Sequence, residues 1–177
     1  MQYIECPNLE APKHPSVFLA GGITDCPDWQ SDIVKLIKDI DDNDLISLEK
    51  REKRLQHSIT IFNPRRKQFP IDDPKSASEQ IYWEYLMLID ADFISFWFPR
   101  ETLCPIVLFE LGNWLSSRKP IVIGIDPDYK RKLDVEIQTK LARTNIKICY
   151  SIVELAKQIW QMGDDMIDDM KFGKRYH

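Results

Sequence analysis

Five short apolar runs alternate with amphipathic segments, and this alternation constrains the fold more than any other feature of the chain. The runs cover residues 16–20, 59–64, 93–98, 120–126 and 146–150. Helical periodicity follows each run, at residues 28–38, 76–90, 104–117, 133–143 and from 151 onward. Strands that alternate with helices in this way predict a parallel sheet with helices on both faces.

Right-handed crossovers leave few possible orders for five parallel strands. We expect a flavodoxin-like, doubly wound α/β fold with the strand order 2-1-3-4-5. The first and third strands then lie side by side, and ligands of such folds bind beyond the carboxyl ends of the strands at this point. The loops that leave these two strands cover residues 21–30 and 99–105.

Length and composition fit one domain spanning residues 1–177, because 44% of the 177 residues are hydrophobic. The net charge of −4 gives no positive field that would attract a nucleic-acid polymer or an acidic membrane surface. No apolar run approaches the roughly 20 residues that span a bilayer. The N-terminus also lacks a basic segment followed by an apolar one, so we expect a cytoplasmic protein.

Metal and cofactor motifs are missing from the sequence. The four cysteines form no C-x-x-C pair, and the three histidines flank no cluster of ligand residues. We therefore expect reduced thiols, no metal site and no cofactor. Residues 39–56 form a charged insertion that reads as an exposed loop with some helix.

The two candidate exit loops and their neighbours carry residues that suit ligand binding. Gly21 and Gly22 let a ligand approach the backbone, or they form only a tight turn before the helix that holds Asp28 and Trp29.

After the second strand, Asn63 is followed by Arg65 and Arg66. The two arginines either bind a phosphate or carboxylate or are solvent-exposed surface charges. Trp83 either stacks on a planar ring or packs in the core.

Two glutamates carry the chemical hypothesis. Glu110 has four apolar residues directly before it, in the second turn of a predicted helix that follows the third strand. Glu84 lies on the preceding helix. If both face one pocket, the pair suits glycosidic chemistry; otherwise they are surface glutamates. Asp92, in the turn before the third strand, either caps that turn or contacts substrate.

Several motifs taken together resemble the nucleoside 2-deoxyribosyltransferase family, and most closely its divergent nucleoside 2-deoxyribosyltransferase-like branch. They are Val-Phe-Leu-Ala-Gly-Gly-Ile at 17–23, Asp-Trp-Gln at 28–30, Phe-Asn-Pro-Arg-Arg at 62–66, Trp-Glu at 83–84, Ala-Asp at 91–92 and Phe-Glu-Leu-Gly at 109–112. The resemblance covers roughly residues 16–150.

The resemblance implies a retaining double displacement at the anomeric carbon of a (deoxy)nucleoside or nucleotide, with a nucleobase as acceptor. Glu110 takes the position of the family's nucleophile, and Glu84 that of an acidic residue that assists at the base. Family members are generally homo-oligomers in which a neighbouring chain completes the site, a role that Tyr176 and His177 could fill here.

The sequence departs from the family pattern at two positions. A tyrosine that often accompanies the nucleophile is replaced by Val17 or Phe18, and an acidic residue before the nucleophile falls near Cys104. Three functions therefore stay open: transfer of the deoxyribosyl group to another nucleobase, hydrolysis of the same bond, and nucleotide sensing without catalysis.

Overall fold

The computed structural model describes residues 1–44, 59–68 and 73–171, in which strands and helices alternate from the second strand onward. The strands are β1 (Gln2–Glu5), β2 (Ser16–Gly21), β3 (Thr60–Asn63), β4 (Phe93–Phe98), β5 (Ile121–Ile125) and β6 (Ile148–Cys149). The helices are α1 (Trp29–Asp44), α2 (Pro74–Asp90), α3 (Pro105–Leu115), α4 (Lys132–Ala142) and α5 (Ile152–Lys171).

The strands form one parallel sheet in the order β1-β3-β2-β4-β5-β6. The predicted α/β class is confirmed, but the prediction of five strands is wrong, because β1 adds a sixth strand outside β3. Gln2 pairs with Thr60 and Glu5 with Asn63 in this extra ladder. A four-residue edge strand that buries only Ile4 leaves too weak an apolar pattern to be recognised from sequence.

Helices cover both faces of the sheet. On β2, Val17 and Leu19 pack in the cluster that includes buried residues of α1 and α5. Phe18 and Ala20 pack on the other face, in the cluster that includes buried residues of α2, α3 and α4. All six residues of β2 are buried, as expected for a parallel strand covered on both sides.

Two helices differ from their predicted form. The structure extends α1 to Asp44, six residues beyond the predicted end at residue 38, so the first part of the charged insertion is helical. The helix predicted at residues 76–90 begins two residues earlier, at Pro74. On this helix Ile81 and Tyr85 are 67% and 62% exposed, whereas Trp83, Met87 and Leu88 are buried, so α2 carries apolar residues on both its inner and its outer side.

Some predictions fall outside the described residues. Tyr176, His177 and most of the 39–56 insertion belong to this part of the chain, and the single domain over residues 1–177 stays a prediction. Within the described residues, none of the helices combines the length and apolarity needed to cross a bilayer.

Candidate active site

A pocket of about 380 Å³ opens at the carboxyl end of β2, between the loop after that strand and the start of α3. It is lined by Phe18, Ala20, Gly21, Gly22, Ile23, Thr24, Pro64, Glu84, Thr102, Cys104, Pro105, Ile106, Val107 and Glu110. Of the predicted site residues, the structure therefore brings together Gly21, Gly22, Glu84 and Glu110. Their meeting place is the sheet edge where open α/β folds bind ligands.

A larger groove, of about 870 Å³, lies between α3 and α4. Its ionisable lining residues are Arg118, Asp134 and Arg143. Size alone favours this groove, but it offers no pair of carboxylates and lies away from the junction of β2 and β4. Chemistry and topology therefore favour the smaller pocket.

Close packing fixes the two glycines of the pocket. A Cβ atom on Gly21 would lie 2.4 Å from Cζ2 of Trp29, and one on Gly22 would lie 2.8 Å from Cγ of Pro99. Both distances are too short for any side chain. The indole Nε1 of Trp29 donates to the carbonyl oxygen of Gly22 at 2.8 Å. Trp29 is therefore buried behind the glycines and supports the loop from below.

Strained backbone occurs on both sides of the pocket. Cys104 adopts left-handed angles, with φ of 49° and ψ of 54°, directly before Pro105 begins α3. Asp25, in the loop after β2, has a φ of 58°. A non-glycine residue in this region is uncommon, and such strain tends to cluster at functional sites. At Cys104 it turns the chain from the β4 exit loop into the helix that carries Glu110.

Glu110 is a partly buried carboxyl group without a hydrogen-bond donor among the described residues. Burial, and secondarily the charge of Glu84, raise the pKa of Glu110 to about 8. A carboxyl group with this pKa keeps its proton at neutral pH while the pocket is empty. Such a shift inside a pocket is typical of a functional group.

Glu84 differs from Glu110 because it has partners. Nε2 of Gln80 donates to Oε1 of Glu84 at 2.6 Å. Burial raises the pKa of Glu84, but this hydrogen bond and the charge of Arg66 oppose the increase. Two groups therefore favour the ionised form of Glu84, whereas burial is the main cause that raises the pKa of Glu110.

Arg65, predicted as a substrate ligand, is absent from the pocket lining and contacts the loop after β2. Its Nε donates to Oε1 of Gln30 at 3.0 Å, and its Nη2 donates to the carbonyl oxygens of Ile23, Cys26 and Pro27 at 2.9 to 3.3 Å. The guanidinium group is thus committed to the backbone that forms one wall of the pocket.

Arg66 and Asn63 are also absent from the pocket lining. The side chain of Arg66 is 7% exposed, and its Nη2 donates to Glu79 at 2.9 Å. Asn63 donates to the hydroxyl of Tyr3 and accepts from the backbone N–H of Arg65. Both side chains therefore have partners within the protein, and their predicted role as ligands stays a prediction.

Trp83, Asp28 and Asp92 do not reach the pocket either. Trp83 is 2% exposed and its Nε1 donates to the carbonyl oxygen of Asn8 at 2.7 Å, so the core-packing alternative holds. Asp28 accepts from the backbone N–H and hydroxyl of Ser31 in the first turn of α1. Asp92 bonds to Ser16 at the start of β2, which is the opposite end of the sheet.

Sequence reasoning missed the polar groups Thr24 and Thr102, which line the pocket from the two exit loops. The sequence signal that could have identified them was the position of those loops, because both leave strands at the sheet edge where ligands are expected to bind. Cys104 lines the pocket as well, and burial is the main cause that raises the pKa of its thiol to about 12. This thiol is therefore neutral and is not a nucleophile in the resting pocket.

Comparisons with known proteins give one clear result. A family model described as nucleoside 2-deoxyribosyltransferase like matches residues 14–129. This segment is well over half of the chain, and it contains every residue that lines the pocket. No curated protein matches the chain closely enough to count as a relative. The described residues contain no group of three or more histidine, cysteine or acidic side chains able to hold a metal ion.

Proposed function

Because the chain belongs to the nucleoside 2-deoxyribosyltransferase-like family, we propose that it cleaves the N-glycosidic bond of a nucleoside and transfers the deoxyribosyl group to another nucleobase. Glu110 is the nucleophile and Glu84 the assisting carboxylate. The observation that carries this proposal is that both line one pocket beside Gly21 and Gly22. Enzymes that act at an anomeric carbon with retention of configuration usually use two carboxyl groups in different environments.

The proposed reaction runs in two displacements. The ionised carboxylate of Glu110 bonds to C1′ as the C1′–N bond breaks, and the base leaves with the electron pair and takes up a proton. Burial and, secondarily, the charge of Glu84 raise the pKa of Glu110 to about 8, so only a minority of Glu110 is ionised at neutral pH. Glu110 must lose its proton before it attacks, and the departing base takes its own proton from water.

In the second displacement, a nitrogen of the incoming nucleobase attacks C1′. The bond to Glu110 breaks, and its carboxylate is regenerated while Glu84 takes the proton that the incoming base loses and releases it to water. Water in place of the nucleobase gives hydrolysis by the same route. The two reactions share their first step, so product analysis with and without an acceptor base distinguishes them.

The charge of the pocket favours an unphosphorylated substrate. Its described lining contains two carboxyl groups and no lysine, arginine or histidine. Arg65 and Arg66 both make hydrogen bonds within the protein. A phosphate beside two carboxyl groups and no cation is electrostatically unfavourable. We therefore expect base release from a nucleoside to exceed release from its 5′-monophosphate, and a preference for the monophosphate would contradict this.

An exposed apolar surface supports assembly into a homo-oligomer. Residues on the outer sides of α2 and α3 form this surface: Ile81, Tyr82, Tyr85, Ile89, Ile106 and Phe109. Phe109 is 77% exposed and directly precedes Glu110. Large exposed apolar areas of this kind mark protein contacts. Light scattering on the full chain tests the assembly, with Phe109→Lys expected to weaken it.

Removal of Glu110 tests the function directly. Glu110→Gln keeps the shape of the side chain but removes the nucleophile, so base release should fall by several orders of magnitude. The mass of the intact wild-type protein should increase by one deoxyribosyl group when substrate is present without acceptor. Glu101→Gln, at an exposed glutamate outside the pocket lining, is the matched control. Full activity of Glu110→Gln would refute the proposal.

A catalytically inactive nucleotide sensor is the second candidate. It is supported by the absence of a hydrogen-bond donor to Glu110 among the described residues, with Phe18 and a neutral Cys104 beside the pocket. Calorimetric titration with nucleosides and nucleotides, run beside the base-release assay, separates the two functions. Binding without release, in wild type as in Glu110→Gln, favours the sensor.

A further inference from the structure

A chain of hydrogen bonds connects Arg66 to the pocket carboxylate Glu84. Nε of Arg66 donates to Sγ of Cys6 at 3.2 Å. Sγ of Cys6 in turn donates to Oε1 of Gln80 at 3.0 Å. Nε2 of Gln80 donates to Oε1 of Glu84 at 2.6 Å, and the same nitrogen donates to the carbonyl oxygen of Pro64 at 2.7 Å.

The chemistry of these groups fixes the direction of every bond. A guanidinium group can only donate, so the sulfur of Cys6 accepts and its proton points to Gln80. The carbonyl of Pro64 and an ionised carboxylate can only accept, so the Gln80 amide must present its nitrogen to both. The amide therefore has one orientation that satisfies all of its contacts. The amide N–H occupies Oε1 of Glu84, and a hydrogen bond of this kind stabilises the ionised form of a carboxyl group more than the neutral form.

We propose that Gln80 is a positioning residue that fixes the orientation of the Glu84 carboxylate and favours its ionised form in the empty pocket. This inference rests on the proposed function, in which Glu84 assists at the base. Gln80 and Glu84 are four residues apart on α2 and therefore lie on one side of the helix. The contact with Pro64, itself in the pocket lining, joins this side of α2 to the loop after β3.

The polar and charged groups around Glu84 come from four places. Gln80 lies on α2 itself, Arg66 on the loop after β3, Cys6 directly after β1, and Glu110 on α3. The hydrogen bond from Gln80 and the charge of Arg66 both lower the pKa of Glu84 against the effect of burial. Burial and the charge of Glu84 raise the pKa of the Cys6 thiol, so Cys6 stays a neutral link.

A purely structural role for Gln80 makes a different prediction. If the side chain only attached α2 to Pro64, its removal would lower activity or stability without changing where Glu84 titrates. The decisive measurement is therefore the titration of the Glu84 carboxyl in resting protein, followed by NMR of ¹³C-labelled glutamate. The signal of Glu84 is the one that Glu84→Gln lacks.

Gln80→Leu should move the titration of Glu84 to higher pH and reduce kcat/KM by about 10- to 100-fold through misorientation of the carboxylate. Cys6→Ala should shift the titration in the same direction by less, whereas Cys6→Ser, which can still accept and donate, should restore the wild-type curve. Gln138→Leu, at an exposed helical glutamine, should change neither quantity.

An unchanged titration of Glu84 in folded Gln80→Leu would overturn the proposal. If that variant does not fold, the pair Cys6→Ala and Cys6→Ser decides, because equal curves in both also overturn it. The titration needs no turnover. A shift in Gln80→Leu together with an inactive wild type would therefore support the positioning role and reject the proposed function.

Discussion

The carboxyl groups compared at the two ends of the parallel sheet differ in how many hydrogen-bond donors they have. At the amino end, Oδ2 of Asp92 accepts from the backbone N–H and the hydroxyl of Ser16 and from Nδ1 of His14, all within 2.8 Å. At the carboxyl end, Glu84 has one donor, Gln80, and Glu110 has none among the described residues.

The ammonium group of Lys119, at the amino end, also has several hydrogen-bond partners. Nζ of Lys119 donates to the carbonyl oxygens of Leu88, Ile89 and Ala91 at 2.5 to 2.8 Å, where α2 ends. Buried polar groups in native proteins are normally paired, and each exception needs an explanation. The difference indicates that the amino end stabilises the fold, whereas the carboxyl end keeps two carboxyl groups available for a ligand.

The largest effect is expected at the carboxyl end. Glu84→Gln should lower kcat/KM for base release by about 10²- to 10⁴-fold, the usual contribution of a general acid or base. The free energy of unfolding should stay the same or increase, because the change removes an incompletely paired, partly buried charge. Base release and urea unfolding of one preparation measure both quantities. A large loss of stability would make Glu84 resemble Asp92 and remove the contrast.

The opposite pattern is expected at the amino end. Asp92→Ala removes hydrogen bonds to a charged acceptor, so the free energy of unfolding should fall by about 1.5–3 kcal/mol. KM and kcat should be unchanged at a temperature where the variant is folded, because Asp92 lies at the far end of the sheet from the pocket. An increase in KM with normal stability would restore the original prediction that Asp92 binds substrate.

Sequence was sufficient for features that depend on strand ends. Glu84 and Glu110 could be placed together because parallel strands put their exit loops at one edge, and an apolar neighbourhood identified Glu110 as an exceptional carboxylate. The two glycines followed from the abrupt end of the strand before them. These inferences need the order of elements but no side-chain geometry.

The sequence did not predict which partner a side chain contacts where several partners are possible. Arg65 could bind a ligand as well as the protein, and its contacts depend on carbonyl oxygens that converge only in the folded loop. Trp83 lies on a helix with apolar residues on both sides. The sequence pattern therefore could not show whether Trp83 is exposed or, as observed, buried against Phe18 and Phe62. Gln80 gave no signal at all, since its role depends on contacts with Cys6 and Pro64, which belong to distant segments.

The smallest expected effect is a pH dependence. Both kcat/KM and the free energy of unfolding should change with pH, because both depend on the protonation of Glu110 at the carboxyl end of the sheet. Glu110 has a pKa raised from 4.5 to about 8 by burial and by Glu84, and it must be ionised to attack. We therefore expect kcat/KM to rise with pH, by at most about tenfold per unit, and to level off above about 8. A flat profile between pH 6 and 9 would contradict this assignment.

Stability should change in the opposite direction. Between 4.5 and about 8 the folded protein keeps a proton on Glu110 that the unfolded chain has lost, so the free energy of unfolding decreases as pH rises. The slope is at most about 1.4 kcal/mol per pH unit, and less because Glu110 keeps some contact with water. Glu110→Gln should remove this slope, and Asp92→Ala should retain it.

Glu84→Gln separates the two causes of the shift. It removes the neighbouring charge but leaves the burial, which is the larger cause. The rising limb of residual activity should therefore move to lower pH without reaching the ordinary value of a glutamate. Complete reversion to 4.5 would mean that charge repulsion rather than burial holds the proton. The carboxyl end would then owe its reactivity to the pairing of two glutamates and not to the shape of the pocket.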